Sequence, residues 1–392
     1  MILSTNSLRP KILCFVDYYL PGYKAGGPIR TITNMVEHLG DEFEFLIVTR
    51  DRDLLDTVAY PNIQINCWNE VANSQVFYAS PETFSFLGVK RLLRETPHDV
   101  LYLNSFFSPL LTILPLIIRR LGFYSNQLVI LAPRGEFSVG ALNLKAEKKK
   151  IYIAIAKIVG IYANLIWQAS SSFESEDILR AMFNADIKRA VIKVAPDFVA
   201  KMVNSVEVYD RSPGPLRIIF LSRISPMKNL DYLLKALKKV NLNVELSIFG
   251  PIEDSDYWLL CKNIIEELPL NVSATYHGEV TYKNVKKTFA LHDVFVFPTR
   301  GENFGHVIYE ALSVGTSVVV SDQTPWREDK HGALKVISLE QPDAWSAIIN
   351  LLTGLNDQDY AMQRKAAYSY AAVYLDESKV LEQNRELFQS SL

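Results

Sequence analysis

The chain has little cysteine. Cys14, Cys67 and Cys261 are the whole set in 392 residues, far apart and without a C-x-x-C pair. That excludes a disulfide framework and a zinc ribbon, and it suits a reducing cytoplasm. His38, His98, His277, His292, His306 and His331 show no H-x3-H spacing, so no zinc site is expected. Basic charge is not in excess: Lys+Arg is 41, Asp+Glu is 43, and the net charge is −2. A dedicated nucleic-acid binder is thereby excluded, while a local basic pocket for an anionic ligand is not. Gly (17) and Pro (18) are too few for a low-complexity chain. No apolar core with a small-residue cleavage site follows the N-terminus, so no secretory signal is expected. The one long uncharged run, Val100 to Ile118, is broken by Pro109 and Pro115. It reads as a buried strand, a turn and a helix rather than a membrane span.

What is there is alternation. Short apolar runs are strand candidates at 11–17, 42–49, 75–79, 99–104, 127–132 and 191–196. Between them lie helical stretches, one after the Gly/Pro loop LPGYKAGGP (20–28) and closed by Gly40. Ser171 and Glu174 read as a capping box. A polar stretch with two prolines and a glycine, 205–215, reads as a linker. The pattern then restarts, with strands at 216–222, 244–250, 274–278, 293–298 and 316–322 and helices between them. Repeated strand–helix alternation implies parallel sheets with helices on both faces. The expected fold is α/β: two doubly wound Rossmann-like domains facing across a cleft. Residues 1–204 form the first domain and 216–355 the second, with helices at 356–392 that cross back to the first.

The block 294–312, VFVFPTRGENFGHVIYEAL, is the strongest local signal. A buried strand ends at Pro298, a Gly-bearing loop follows, and a helix begins near Gly305. Loop amides and a helix start face the side where an anion would sit. Glu302 lies in the loop and Glu310 on the helix, about two turns on, so they can reach two parts of one extended ligand. Two glutamates at such a spacing also arise by chance. Solvated acids do not explain why a strand end carries RGENFG.

This block resembles the E-x7-E signature of retaining glycosyltransferases of family 4, which have the GT-B fold. GTSVVVSD (315–322), LSRISPMKN (221–229) and the early Gly26-Gly27 loop fit the same family in the same order. LAPRGEF (131–137) with a Lys-rich helix after it resembles bacterial enzymes that build surface polysaccharides. The resemblance implies a retaining, metal-independent transferase. It would move a sugar from a nucleotide-diphosphate donor to a glycan or lipid-linked glycan. No cofactor is implied, since the nucleotide sugar is a co-substrate. Arg223 and Lys228 would hold the donor diphosphate, and Glu310 the ribose hydroxyls. Glu302 would hold donor-sugar hydroxyls beside the amides of Asn303, Phe304 and Gly305. Gly26 and Gly27 would let the loop approach the phosphate. Glu302, Arg223 and Lys228 are the catalytic set. Many relatives have a first-domain His that is missing here. Arg134 or Asn104 is the replacement on the acceptor side, and His306 either points into the cleft or has no role.

Other readings stay on the table. A phosphorylase, a sugar-nucleotide epimerase or a non-catalytic nucleotide-sugar binder would share the fold. Asp51-Arg52-Asp53 and Asp254-Ser255-Asp256 match a metal-binding D-x-D, although Asp254 and Asp256 read better as helix-start acids. The segment 145–167 is basic and then apolar. It reads as a core helix and strand before it reads as a membrane-surface patch. The expected location is the cytoplasm, with peripheral contact at the inner face of a membrane left open.

Overall fold

The computed structural model describes residues 9–124, 128–143, 146–200, 214–328, 330–374 and 377–389. They fall into two compact units, one within Met1–Ala200 and Glu377–Leu392, the other within Lys201–Asp376. Of the expected linker, 205–213 lies outside the described residues.

The first unit is an eight-stranded sheet. Its strands are β1 (Lys11–Phe15), β2 (Glu44–Arg50), β3 (Trp68–Val71), β4 (Ser74–Ala79), β5 (Val100–Asn104), β6 (Leu128–Ala132), β7 (Ile166–Ala169) and β8 (Ile192–Val194). The order is β3-β4-β2-β1-β5-β6-β7-β8, parallel apart from β3 against β4. Alternate residues of the central strands go to opposite faces, as the pleat requires. Leu13, Leu101 and Leu131 join one core, and Ile12, Tyr102 and Ile130 the other. Burial on both faces is why these strands read as continuous apolar runs. The helices are α1 (Gly27–Leu39), α2 (Phe86–Glu95), α3 (Leu114–Arg120), α4 (Val139–Asn143), α5 (Ala146–Val159) and α6 (Ser172–Phe183). The uncharged run of 100–118 becomes β5, a π-helical turn at Pro109–Ile113 and the start of α3. Among the described residues no helix is long and apolar enough to cross a membrane.

The second unit is a six-stranded parallel sheet: β9 (Leu216–Leu221), β10 (Val244–Phe249), β11 (Val272–Tyr276), β12 (Val294–Phe297), β13 (Ser317–Ser321) and β14 (Leu334–Ile337). The order β11-β10-β9-β12-β13-β14 reverses direction between β9 and β12. Helices α7 (Leu230–Leu237), α8 (Ser255–Glu266), α9 (Tyr282–Ala290), α10 (His306–Leu312), α11 (Pro342–Thr353) and α12 (Asp357–Tyr374) complete it.

Two details differ from the sequence reading. The C-terminal helices divide between the units. Arg364 on α12 donates to the carbonyls of Ala290, His292 and Val314, which keeps α12 in the second unit. Only α13 (Glu377–Gln389) packs in the first. There Phe388 meets Phe43 and Tyr102, and Asn384 donates to the Pro196 carbonyl at 2.9 Å. The capping box is also only half formed. Ser171 Oγ accepts the Glu174 N–H at 3.2 Å, but the Glu174 carboxylate accepts the N–H groups of Ser170 and Gly135.

Candidate functional site

Ligands of doubly wound sheets bind beyond the carboxyl ends of the strands, where the strand order reverses. In the second unit that place is set by the loops after β9 and β12. The predicted residues stand on those two loops. Arg223 and Lys228 follow β9, and Glu302, Asn303, Phe304 and Gly305 follow β12.

The two loops are tied by backbone and amide contacts. Asn229, in the left-handed region at φ 63°, donates from its side chain to the Pro298 carbonyl at 2.9 Å. The Arg300 N–H donates to the Met227 carbonyl at 2.8 Å, and Arg300 Nε donates to Asn229 Oδ1 at 3.1 Å. This clamp brings Lys228 and Glu302 together, 74 residues apart in sequence. The ammonium donates to the carboxylate, and both side chains are largely enclosed. The ammonium also lies 5.7 Å from the centre of the Phe297 ring, a cation–π position. Arg223 is more open and pairs with Glu253 at 2.7 Å.

A third segment braces the Glu302 loop: it starts at Ser321 within GTSVVVSD and runs on to Gln323 and Trp326, which the sequence reading does not single out. Ser321 Oγ donates to the Thr299 carbonyl. Glu302 N–H donates to the Gln323 carbonyl at 3.0 Å. The buried Trp326 indole donates to the Phe304 carbonyl at 2.6 Å. Its ring also stacks on Tyr374, with centroids 4.6 Å apart. A Trp shortly after a strand end, beside a Pro, was the available signal in TPW (324–326). Gly305 has φ +82° and carries the turn into α10, where a Cβ would lie 2.8 Å from Ile308 Cδ1. His306 is buried, with its ring 4.8 Å from that of Phe304. Glu310 is buried on α10.

The first unit presents its own carboxyl edge. Gly26 has φ +69°, a Cβ there would meet nothing within 4 Å, and Gly27 opens α1. Asn104 ends β5 and Arg134 follows β6, and the structure joins them directly. Arg134 Nε and Nη2 donate to Asn104 Oδ1 at 3.1 and 2.8 Å. Nη1 pairs with Asp197 and Nη2 also donates to the Tyr102 hydroxyl. The Arg134 side chain is only 9% exposed. Burial alone would pull its pKa down, but Tyr102 and Asp197 outweigh it and hold the group above its ordinary value. Most of the donors expected to meet an acceptor are thus taken by neighbours. Glu136, likewise enclosed, accepts from Ser105 Oγ and the Phe107 N–H, and burial raises its carboxyl pKa.

Three of the four D-x-D carboxylates, Asp51, Asp53 and Asp254, have protein partners. Asp51 pairs with Arg52 at 2.7 Å. Asp53 accepts the N–H groups of Tyr23 and Lys24 at 2.8 and 3.1 Å, which holds the loop that leads to Gly26. Asp254 caps α8, accepting the Tyr257 N–H at 2.9 Å. Among the described residues no cluster of three or more His, Cys, Asp or Glu could hold a metal ion.

The chain is similar over its length to the structure of Anabaena HepE in complex with UDP and glucose, with a TM-score of 0.68 at 17% identity, covering 97% of this chain and 100% of that one. The fold is GT-B. Within the GT-B chain, residues 205–369 match the family model of glycosyl transferases group 1. A 41.2 kDa protein of the cps region of Klebsiella pneumoniae is 28% identical over 60% of this chain and 64% of its own length. An O-antigen chain mannosyltransferase of Salmonella typhimurium is 20% identical over 47% of this chain and 50% of its own. The matches thus span less than two thirds of these relatives.

Proposed function

We propose that this protein is a retaining, metal-independent glycosyltransferase of family 4 that acts in polysaccharide biosynthesis. It would take a sugar from a nucleotide-diphosphate donor and pass it to a glycan or lipid-linked glycan on the cytoplasmic side of a membrane. The observation that carries this reading is the Lys228–Glu302 pair at the reversal point of the second sheet, inside the segment that matches group 1 glycosyl transferases. The pair supplies a cation for the donor diphosphate beside a carboxylate for donor-sugar hydroxyls. Arg223 adds a second cation from the same loop. As the glycosidic bond breaks, negative charge grows on the diphosphate. Fixed cations stabilise that transition state more than the ground state. The acceptor hydroxyl attacks from the face the leaving group departs, and a donor phosphate oxygen takes its proton. No protein nucleophile is then required, so Glu302 binds rather than forms a covalent intermediate.

In this scheme Glu310 binds the ribose hydroxyls and the amides of Asn303, Phe304 and Gly305 lie along the donor sugar. Gly26 and Gly27 leave the first-unit loop free to approach phosphate, consistent with the open space in front of Gly26. Metal independence is supported by the local duties of Asp51, Asp53 and Asp254. A nucleotide-sugar panel in a thermal-shift assay tests donor binding. Glu310→Ala should weaken nucleotide-diphosphate affinity in calorimetry by about tenfold or more, the scale of a lost charged hydrogen bond. Unchanged affinity would sink the ribose assignment. Turnover that fails with chelator and returns with Mn2+ would sink metal independence.

A further inference from the structure

Helix α5 is built inside out. Its inner side is modest: Ala156 is buried, and Tyr152 and Ile153 are partly buried against the first core. Its most apolar stripe faces away. Ile151, Ile155 and Ile158 are 59%, 54% and 85% exposed, and Val159 beside them is 48% exposed. Spacings of four and three residues put the isoleucines on one helix face. Scattered exposed aliphatics are ordinary, but an aligned row on one helix is not. The apolar pattern of the sequence predicts a core helix here, and only the inner side is one.

Charge says what the stripe meets. Lys148 is exposed at the head of the stripe beside Glu147, the single acid of the helix, which pairs with exposed Lys150 at 3.3 Å. Lys157 is half-buried on the flank, so three lysines stand against one acid. Lys149 is turned inward, donating to the Ala141 carbonyl at 2.7 Å and lying 5.0 Å from the Phe107 ring centre. A second copy would set lysines against lysines. A stripe of four side chains is also small beside the ~800 Å² that each partner of a stable dimer buries. A flat lipid surface has neither difficulty. Isoleucines can sink among acyl chains while lysines reach anionic headgroups. We propose that the outer face of α5 docks this protein on an anionic bilayer. This surface lies in the first unit, and its action needs no step of the glycosyl transfer proposed above.

The full-length protein is sedimented with vesicles of phosphatidylcholine, with and without phosphatidylglycerol. The wild type should bind the anionic vesicles and release from them at high salt. Ile151→Ser, Ile155→Ser and Ile158→Ser together should weaken binding by about tenfold or more, since the apolar anchor is lost. These positions are exposed, so the melting temperature should hold. Lys148→Glu with Lys150→Glu should weaken it as well and remove the salt dependence. Equal binding by the triple variant, or equal binding to neutral vesicles, overturns the proposal. So does a wild-type dimer that the triple variant converts to monomer, which would make the face a contact between copies. None of these readouts uses a nucleotide sugar, so they stand or fall apart from the transferase reading.

Discussion

The carboxyl edges of the two sheets carry similar residue types and use them in opposite ways. In the first unit Arg134 is enclosed and bonded to Asn104, Tyr102 and Asp197. Tyr102 in turn donates to Gln168, whose amide donates to the Ala195 carbonyl at 3.0 Å. In the second unit Arg223 is about one-third exposed and meets Glu253, while Lys228 meets Glu302. A buried, many-partnered cation holds structure, because removing one member strands the others away from water. Arg223, exposed and held by one carboxylate, can exchange that partner for a ligand phosphate at small cost. Lys228 is enclosed but has one carboxylate to give up, and an incoming phosphate would replace that negative charge. An arginine at a strand end is thus not by itself a ligand group. Its number of partners decides.

Substitutions can break this contrast. Arg134→Ala should cost about 3–5 kcal/mol of stability, the scale for opening a buried pair. Thermal or urea unfolding measures it. A change under about 1 kcal/mol would mean that the network is not structural. Next, Lys228→Ala should lower turnover by about 10²–10³-fold, as for a lost transition-state contact, while the protein stays folded. Retained turnover would deny Lys228 a transition-state contact, and loss of the fold would make it a structural cation like Arg134. Trp326→Phe keeps a ring against Tyr374 but strands the Phe304 carbonyl, at roughly 1–3 kcal/mol. Donor KM should rise with the loss of stability, and a pure stability effect would confine Trp326 to the fold.

The smallest effect concerns pH. His292 is buried, with Nδ1 at 2.7 Å from the Thr288 carbonyl, and burial lowers its pKa from 6.5. A depressed pKa gives stability that is present above about 6.5 and lost as pH falls through the folded value. The melting temperature should therefore drop between about pH 7 and pH 5. His292→Gln should shrink that drop. An unchanged drop would assign it elsewhere, with His98, also lowered by burial, as the next group to test.

Much of the site was legible because its residues sit at strand ends. KILCFVD, LRIIFLS and DVFVFP announce strands through continuous apolar runs, and the polar loops after the last two carry Arg223, Lys228 and Glu302. Their partners were not legible. Asp197 is 63 residues from Arg134, and Glu253 is 30 residues from Arg223. Sequence spacing says nothing about such contacts. The strand β3 also escaped notice, since WNEV pairs antiparallel at the sheet edge without an apolar pattern.

By itself the sequence determined the alternation of strands and helices, the two sheets and the loops that bear charge. Local apolar periodicity and glycine conformation act within a few residues, so a linear reading contains them. Tertiary structure alone decided that Arg134 is bound inward and that Lys228 and Glu302 meet. It also decided that Trp326 holds the Phe304 carbonyl and that the isoleucines of α5 face out. Each depends on which distant segment comes alongside, and packing of the sheets sets that.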